Sequence, residues 1–383
     1  MRSAAKGTFR AFSALVAAAG LAAAVAACGS SAGSSGARDV SDGERAAGVR
    51  AAERQLAKYS ETPEFRAPGP AFDAKRVMAG KLVFSVPAST ANPFNEAILA
   101  AQADVAERVG FRLEVWENLG KTAQWVEGVQ RGIAAGASVI DLLGGASPQL
   151  LGPQIQAAQA KGIKVTDSAI NGITGQDGVE KSPNVDATNG LPYRLAGELM
   201  ASWVIKDTDG EAHVLVITSD DATSSPIVES GIMDTFERHC GACEVETVNV
   251  PLADWSTKIT PAVQGALAQN PDLDYVIPMF DSESPFVISA LQTARKTGEV
   301  KIATFNGTPA ILDLVREGKV AMDVAQDLHW VGYAISDNIM RLAGGLEAVA
   351  DEQVPLQVVT PENVDSFEHT AYLEGYEKLW KLR

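Results

Sequence analysis

The chain has 383 residues, 48 acidic against 32 basic, and a formal net charge of −16. No long run of Lys or Arg interrupts that acidity, which excludes nucleic acid as the main partner, since phosphate binding needs clustered cations. At about 150 residues per domain the length implies two domains.

Arg2, Lys6 and Arg10 precede an alanine-rich apolar run over residues 11–27 that ends at Cys28. This is a secretory signal, short for a spanning helix. The stretch Val25-Ala26-Ala27-Cys28 resembles a bacterial lipobox, whose cysteine takes a lipid and becomes the new N-terminus. Residues 1–27 therefore read as signal peptide, and their loss removes three basic residues and no acidic ones, taking the charge from −16 to −19. No second apolar stretch of spanning length follows, so the mature chain is expected outside the cytoplasm, held to the membrane through the lipid on Cys28 only.

Residues 28–78 read as a lipidated tether and N-terminal extension. Residues 29–43 are Gly, Ser and Ala with scattered charge, too poor in apolar side chains to bury a core. A charged, alanine-rich helix is predicted over 43–59, and Pro63, Pro68 and Pro70 break any continuation. The folded body is expected to begin near Gly80.

From there short apolar runs alternate with helical periodicity. Strands are predicted over 81–86, 111–116, 139–143, 163–167, 214–218, 245–250, 275–279 and 301–305. Helices are predicted between most of them, including 125–134, 153–160, 195–204 and 285–295. Strand, helix, strand repeated this often implies parallel sheets covered on both faces, with ligands at the C-terminal edges of the strands. No phosphate loop, GxGxxG or HExxH occurs, and no nucleophile with its base is recognisable, so an enzyme is not expected and no catalytic residue, metal or cofactor is assigned. The Gly144-Gly145 pair reads as a turn. In His239-Cys240-Gly241-Ala242-Cys243 a redox or metal CxxC competes with a short disulfide. The lack of a second CxxC and the distance of the other histidines favour a Cys240–Cys243 disulfide that staples a surface loop.

Directly after the first strand, Ser89-Thr90-Ala91-Asn92-Pro93-Phe94-Asn95 resembles the first ligand loop of the ribose-type periplasmic binding family. Further pieces recur in family order: Ala253-Asp254-Trp255, Phe305-Asn306-Gly307-Thr308-Pro309, and the run from Gly318 to Gln326. The resemblance covers roughly residues 80 to 360 and implies a type I periplasmic binding protein fold, two doubly wound parallel-sheet α/β lobes joined by three hinge crossovers. Lobe one would be 79–187 plus 327–354, and lobe two 188–326 plus 355–383. The resemblance also implies a monomer that captures a small neutral sugar or polyol for an ABC permease. A receptor subunit for a chemoreceptor or sensor kinase, or a binder of a nucleoside or aromatic solute, is the alternative.

The matched residues suit such a ligand. Phe94, Trp255 and Phe305 offer aromatic faces to C–H groups, and Asn92, Asn95, Asn306 and Gln326 offer amides that both donate and accept. Sugar-binding members carry arginines where this chain reads Asp167-Ser168-Ala169-Ile170-Asn171 and Ser224-Ser225-Pro226-Ile227-Val228, so both arginines are missing. Asn306 stands where an aspartate is common, and Phe280 replaces an asparagine ahead of Asp281. The cleft is therefore expected to be less charged and, through Phe280, more aromatic than a ribose site; either the ligand is a different neutral molecule, or hydroxyl recognition has moved to Asp167, Ser168 and Asp281.

Overall fold

The computed structural model describes residues 40–176, 179–180, 182, 184–349, 354–367 and 369–383, so Cys28, the signal segment and residues 29–39 of the tether lie outside the described residues. Helix α1 (Asp42–Leu56) opens on a capping box between Ser41 and Glu44. A short helix α2 (Ala74–Met78) precedes β1 (Leu82–Pro87), α3 (Pro93–Val109), β2 (Arg112–Val115), α4 (Thr122–Ala134) and β3 (Val139–Leu143). Next come α5 (Gly152–Gln159), β4 (Lys164–Ser168) and β5 (Ala187–Asn189). These strands form one parallel sheet in the order β2-β1-β3-β4-β5.

After β5 the chain crosses to a second sheet. It contributes α6 (Tyr193–Asp207), β6 (His213–Thr218), α7 (Ser225–His239), β7 (Glu244–Asn249), α8 (Trp255–Gln269) and β8 (Tyr275–Pro278). Then follow α9 (Ser284–Ala294), β9 (Lys301–Asn306), α10 (Pro309–Arg316) and β10 (Met322–Ala325). Helix α11 (Leu328–Ala343) returns to pack on α3, β11 (Gln357–Val359) rejoins the second sheet, and α12 (Ala371–Leu379) closes the chain. The second sheet runs β11-β10-β9-β8-β6-β7, parallel except for β11.

The central strands explain why the runs read as continuous rather than alternating. β1 and β3 are buried along their whole length, because helices cover both faces, whereas the edge strands β2 and β7 keep exposed positions. Each lobe has the same order of matching strands, so the ends of β1, β3 and β4 in one lobe answer to those of β6, β8 and β9 in the other.

Three readings need correction. The body begins well before Gly80: α1 packs on α6 and α7, and Phe65 packs edge-on against Tyr376 and near Trp330. The backbone amides of Phe72 and Ala74 then donate to the carbonyls of Leu379 and Trp380. Second, α12 belongs with lobe one rather than lobe two, since Trp380 stacks on Tyr333 and its indole N–H donates to Asp337, both on α11. The first crossover also lies beyond residue 187, because β5 runs to Asn189. Third, Cys240 and Cys243 form a disulfide, but a buried one, tucked against the Gly210 carbonyl rather than on a surface loop.

Candidate functional site

The loops at the C-terminal edges of both sheets line a narrow cavity of about 50 Å³, partly open to solvent. Its wall is assembled from the ends of strands in both lobes, as crossover handedness and the switch-point rule require.

From lobe one, the turn after β1 starts α3 with Asn92 as its cap. Asn92 has extended backbone, and its Oδ1 accepts the Phe94 amide at 2.9 Å while Pro93 occupies the first helical position. Asn92 and Phe94 both line the cavity. The turn after β3 supplies Gly144 and Gly145, with φ of 63° and 129°. A Cβ at Gly144 would meet Asn95 Oδ1 at 1.9 Å, so only glycine fits where this turn crosses the Asn95 side chain. The end of β4 supplies Ala169, held at φ 53°, and Ile170.

From lobe two come Ala222, Thr223 and Ser224 ahead of α7, Leu252 and Trp255 at the start of α8, Phe280 and Ser282 after β8, and Asn306 at the end of β9. The Trp255 indole N–H donates to Ser219 Oγ at 2.8 Å, and that hydroxyl donates to the Val250 carbonyl. The Trp255 and Phe280 rings lie 6.2 Å apart. Asn306 has φ 154°, a conformation L residues rarely adopt. Asp323 holds this turn by accepting the amides of Asn306 and Gly307, each at 3.2 Å. Tyr193, on the crossover into α6, also faces the cavity and donates its hydroxyl to the Ala169 carbonyl at 2.8 Å.

Asn92, Phe94, Trp255, Phe280 and Asn306 are thus brought together, while six other expected residues stand behind the wall, among them Phe305, fully buried and edge-on to Tyr193. Asn95 is fully buried and donates to the Ser89 carbonyl. Asp167 turns away to accept the Ser182 hydroxyl, and Ser168 donates to Asp141 at 2.6 Å, as neighbours in a strand must face opposite sides. Asp281 accepts the Thr308 amide and hydroxyl at 2.6 and 2.8 Å, with Asn306 Nδ2 at 3.5 Å. Gln326 donates to the Val354 carbonyl at the hinge. Tyr193, Ile170, Thr223 and Leu252 were not singled out, because none belongs to a recognisable motif.

These buried carboxylates share one cause of perturbation. Burial pushes Asp167 and Asp281 up to about 6, and Asp323 and Glu283 well above the usual carboxylate range, with the Asp281 charge adding to both of the latter. None of them lines the cavity, whose lining side chains carry no charge.

The family profile described as the periplasmic binding protein domain matches residues 82–347. The ribose import binding protein RbsB of Salmonella typhimurium is 23% identical over 286 residues, 74% of this chain and 91% of that protein. The same protein of Escherichia coli K12 is also 23% identical over 286 residues, 74% of this chain and 92% of its own length. Among solved structures, an ABC transporter solute-binding protein from Agrobacterium vitis with bound allitol superposes with a TM-score of 0.66 at 20% identity, covering 76% of this chain and 98% of that one. One from Bacillus halodurans with bound myo-inositol gives a TM-score of 0.64 at 21% identity, covering 76% and 98%. These structures share the two-lobed fold.

Proposed function

Since this chain belongs to the periplasmic binding protein family, we propose that it captures a small neutral sugar or polyol between its lobes and delivers it to an ABC permease. It is a binding protein, not an enzyme, and it works outside the cytoplasm. The observation that carries the ligand class is the uncharged cavity, where aromatic faces of Phe94, Trp255 and Phe280 converge with the amides of Asn92 and Asn306. Aromatic faces take the C–H side of a ring, and an amide can give to one hydroxyl and accept from another. The relatives named for ribose import and the neighbours holding allitol and myo-inositol support the same class.

Contacts from both lobes to one solute would stabilise the closed arrangement, since a ligand shifts such an equilibrium only through its differential affinity for the two states. Asn92, Phe94, Trp255, Phe280 and Asn306 would touch the ligand, and Asn95, Asp167, Ser168, Asp281 and Gln326 would shape the wall behind it. In this reading the protein acts as a monomer, with Cys28 carrying the lipid that keeps it beside the permease.

A thermal-shift panel of pentoses, hexoses, polyols, amino acids and organic anions tests the reading. A ligand that binds only the folded chain raises Tm, by about 2.7 kcal/mol of stabilisation at a hundredfold excess over Kd. Shifts confined to neutral hydroxylated solutes support it. Shifts confined to charged solutes would sink it.

A further inference from the structure

We propose that Tyr193 and Ser282 act as acceptor-only contacts, each taking a hydrogen from a ligand hydroxyl and having none to return. The site then selects a solute that donates at those two points and rejects one that carries a carbonyl, carboxylate, ether or halogen there. This rests on the sugar-or-polyol reading above and deepens it.

A hydroxyl ordinarily serves a ligand both ways, because it carries one hydrogen and two lone pairs. Tyr193 has already committed its hydrogen. The hydroxyl donates to the Ala169 carbonyl at 2.8 Å, and a carbonyl can only accept, so the direction of that bond is fixed. Tyr193 lines the cavity together with Ala169 and Ser224, the two residues to which its hydroxyl is bonded. The oxygen therefore sits in the wall between them, and since Ser224 must be the donor to it, one lone pair stays open. Tyr193 is 3% exposed and its ring packs edge-on against Phe305, 5.8 Å between centroids, which holds the hydroxyl in place.

Ser282 reaches the same condition from lobe two. It lines the cavity, and its Oγ donates to Asp281 Oδ1 at 3.2 Å. That carboxylate also accepts the Thr308 amide and hydroxyl, so it serves as an acceptor on every side and keeps the serine hydrogen. Both residues thus present lone pairs to the cavity. A ligand group that can only accept repels them and leaves buried acceptors without a hydrogen, whereas a ligand hydroxyl satisfies them.

The test is calorimetric titration of the full chain, purified in detergent, with a sugar or polyol that binds and its monofluoro analogues, each with one hydroxyl replaced. Fluorine is close to a hydroxyl in size but has no hydrogen to give. At least one analogue is expected to bind the wild-type chain about ten-fold more weakly than its parent. Tyr193→Phe, which removes the oxygen, is expected to weaken the parent and to shrink the penalty of that analogue to about three-fold or less. A residue that only shaped the wall would weaken parent and analogues in parallel. Ser282→Ala is expected to relieve an analogue fluorinated at a different position, and it decides the matter if Tyr193→Phe fails to fold. Penalties unchanged in both variants overturn the inference and leave the sugar-or-polyol reading standing. If no neutral sugar or polyol binds the wild-type chain, that reading falls and the inference falls with it.

Discussion

Asn92 uses one amide twice. Its Oδ1 caps α3 through the Phe94 amide, and because Asn92 lines the cavity its Nδ2, which the cap does not use, is a candidate donor to a ligand. Serine caps about as well as asparagine but lacks that second donor. Asn92→Ser is therefore expected to change stability by no more than about 0.5 kcal/mol by denaturant melting, and to weaken ligand binding about three- to ten-fold. Alanine would confuse the two effects, and so would Trp255→Ala, because the Trp255 indole is also packed into the cores around both faces of the second sheet and bonded to Ser219. Asp167 gives a second prediction. With its folded pKa raised to about 6 by burial and its unfolded value near 3.9, the folded chain holds a proton that the unfolded chain has lost over that interval. Its contribution to stability is therefore fully present below about pH 4 and lost as pH rises through about 6. Asp167→Asn, neutral at every pH, is expected to remove that part of the fall in Tm between pH 4 and 6. An unchanged slope would mean that Asp167 is not desolvated. The sequence could present Asp167 and Asn92 alike as candidates, since both sit at strand ends. Which of them faces the ligand depends on side-chain direction, and that is set by register against β3 and β5 rather than by any local pattern.

Helices α6 and α7 approach so closely that their contact is made by glycines. A Cβ on Gly197 would lie 2.2 Å from the Val228 carbonyl oxygen, and one on Gly231 would lie 2.1 Å from that of Arg194. Because α7 starts beside Thr223 and Ser224 and α6 starts at Tyr193, the spacing of this pair sets one side of the cavity. Gly231→Ala is expected to destabilise the chain by about 1–3 kcal/mol and to weaken ligand binding as well. Gly265→Ala in α8 meets nothing within 4 Å and should be neutral or slightly stabilising, which makes it the control in the same calorimetric melt. At this scale the long strands and helices were legible from apolar runs and 3.6-residue periodicity. β5 and β11 were not, at three residues each, because so short a segment carries no period to read.

The two-lobed plan was legible from alternation and from motifs in family order, whereas the role of the N-terminal extension was not. Its apolar residues Phe65 and Phe72 look isolated among prolines until α12, some 300 residues later, supplies their partners. The extension thereby ties α1 on lobe two to α2 and α12 on lobe one. A chain begun at Gly80 keeps every strand but exposes Tyr376 and the α6–α7 surface. It is expected to melt at lower temperature and to aggregate, and a chain from Gly80 that melts like the full one would show that the extension contributes nothing to stability.

The central claim is that one neutral solute is held by groups from both lobes. The most direct measurement is calorimetric titration of the wild-type chain, Asn92→Ser and Thr223→Ala with the same sugar or polyol, one variant in each lobe. Weaker binding in both variants, by about three-fold or more each, is the result expected here. Full affinity in either variant would place the ligand on one lobe alone and contradict the account.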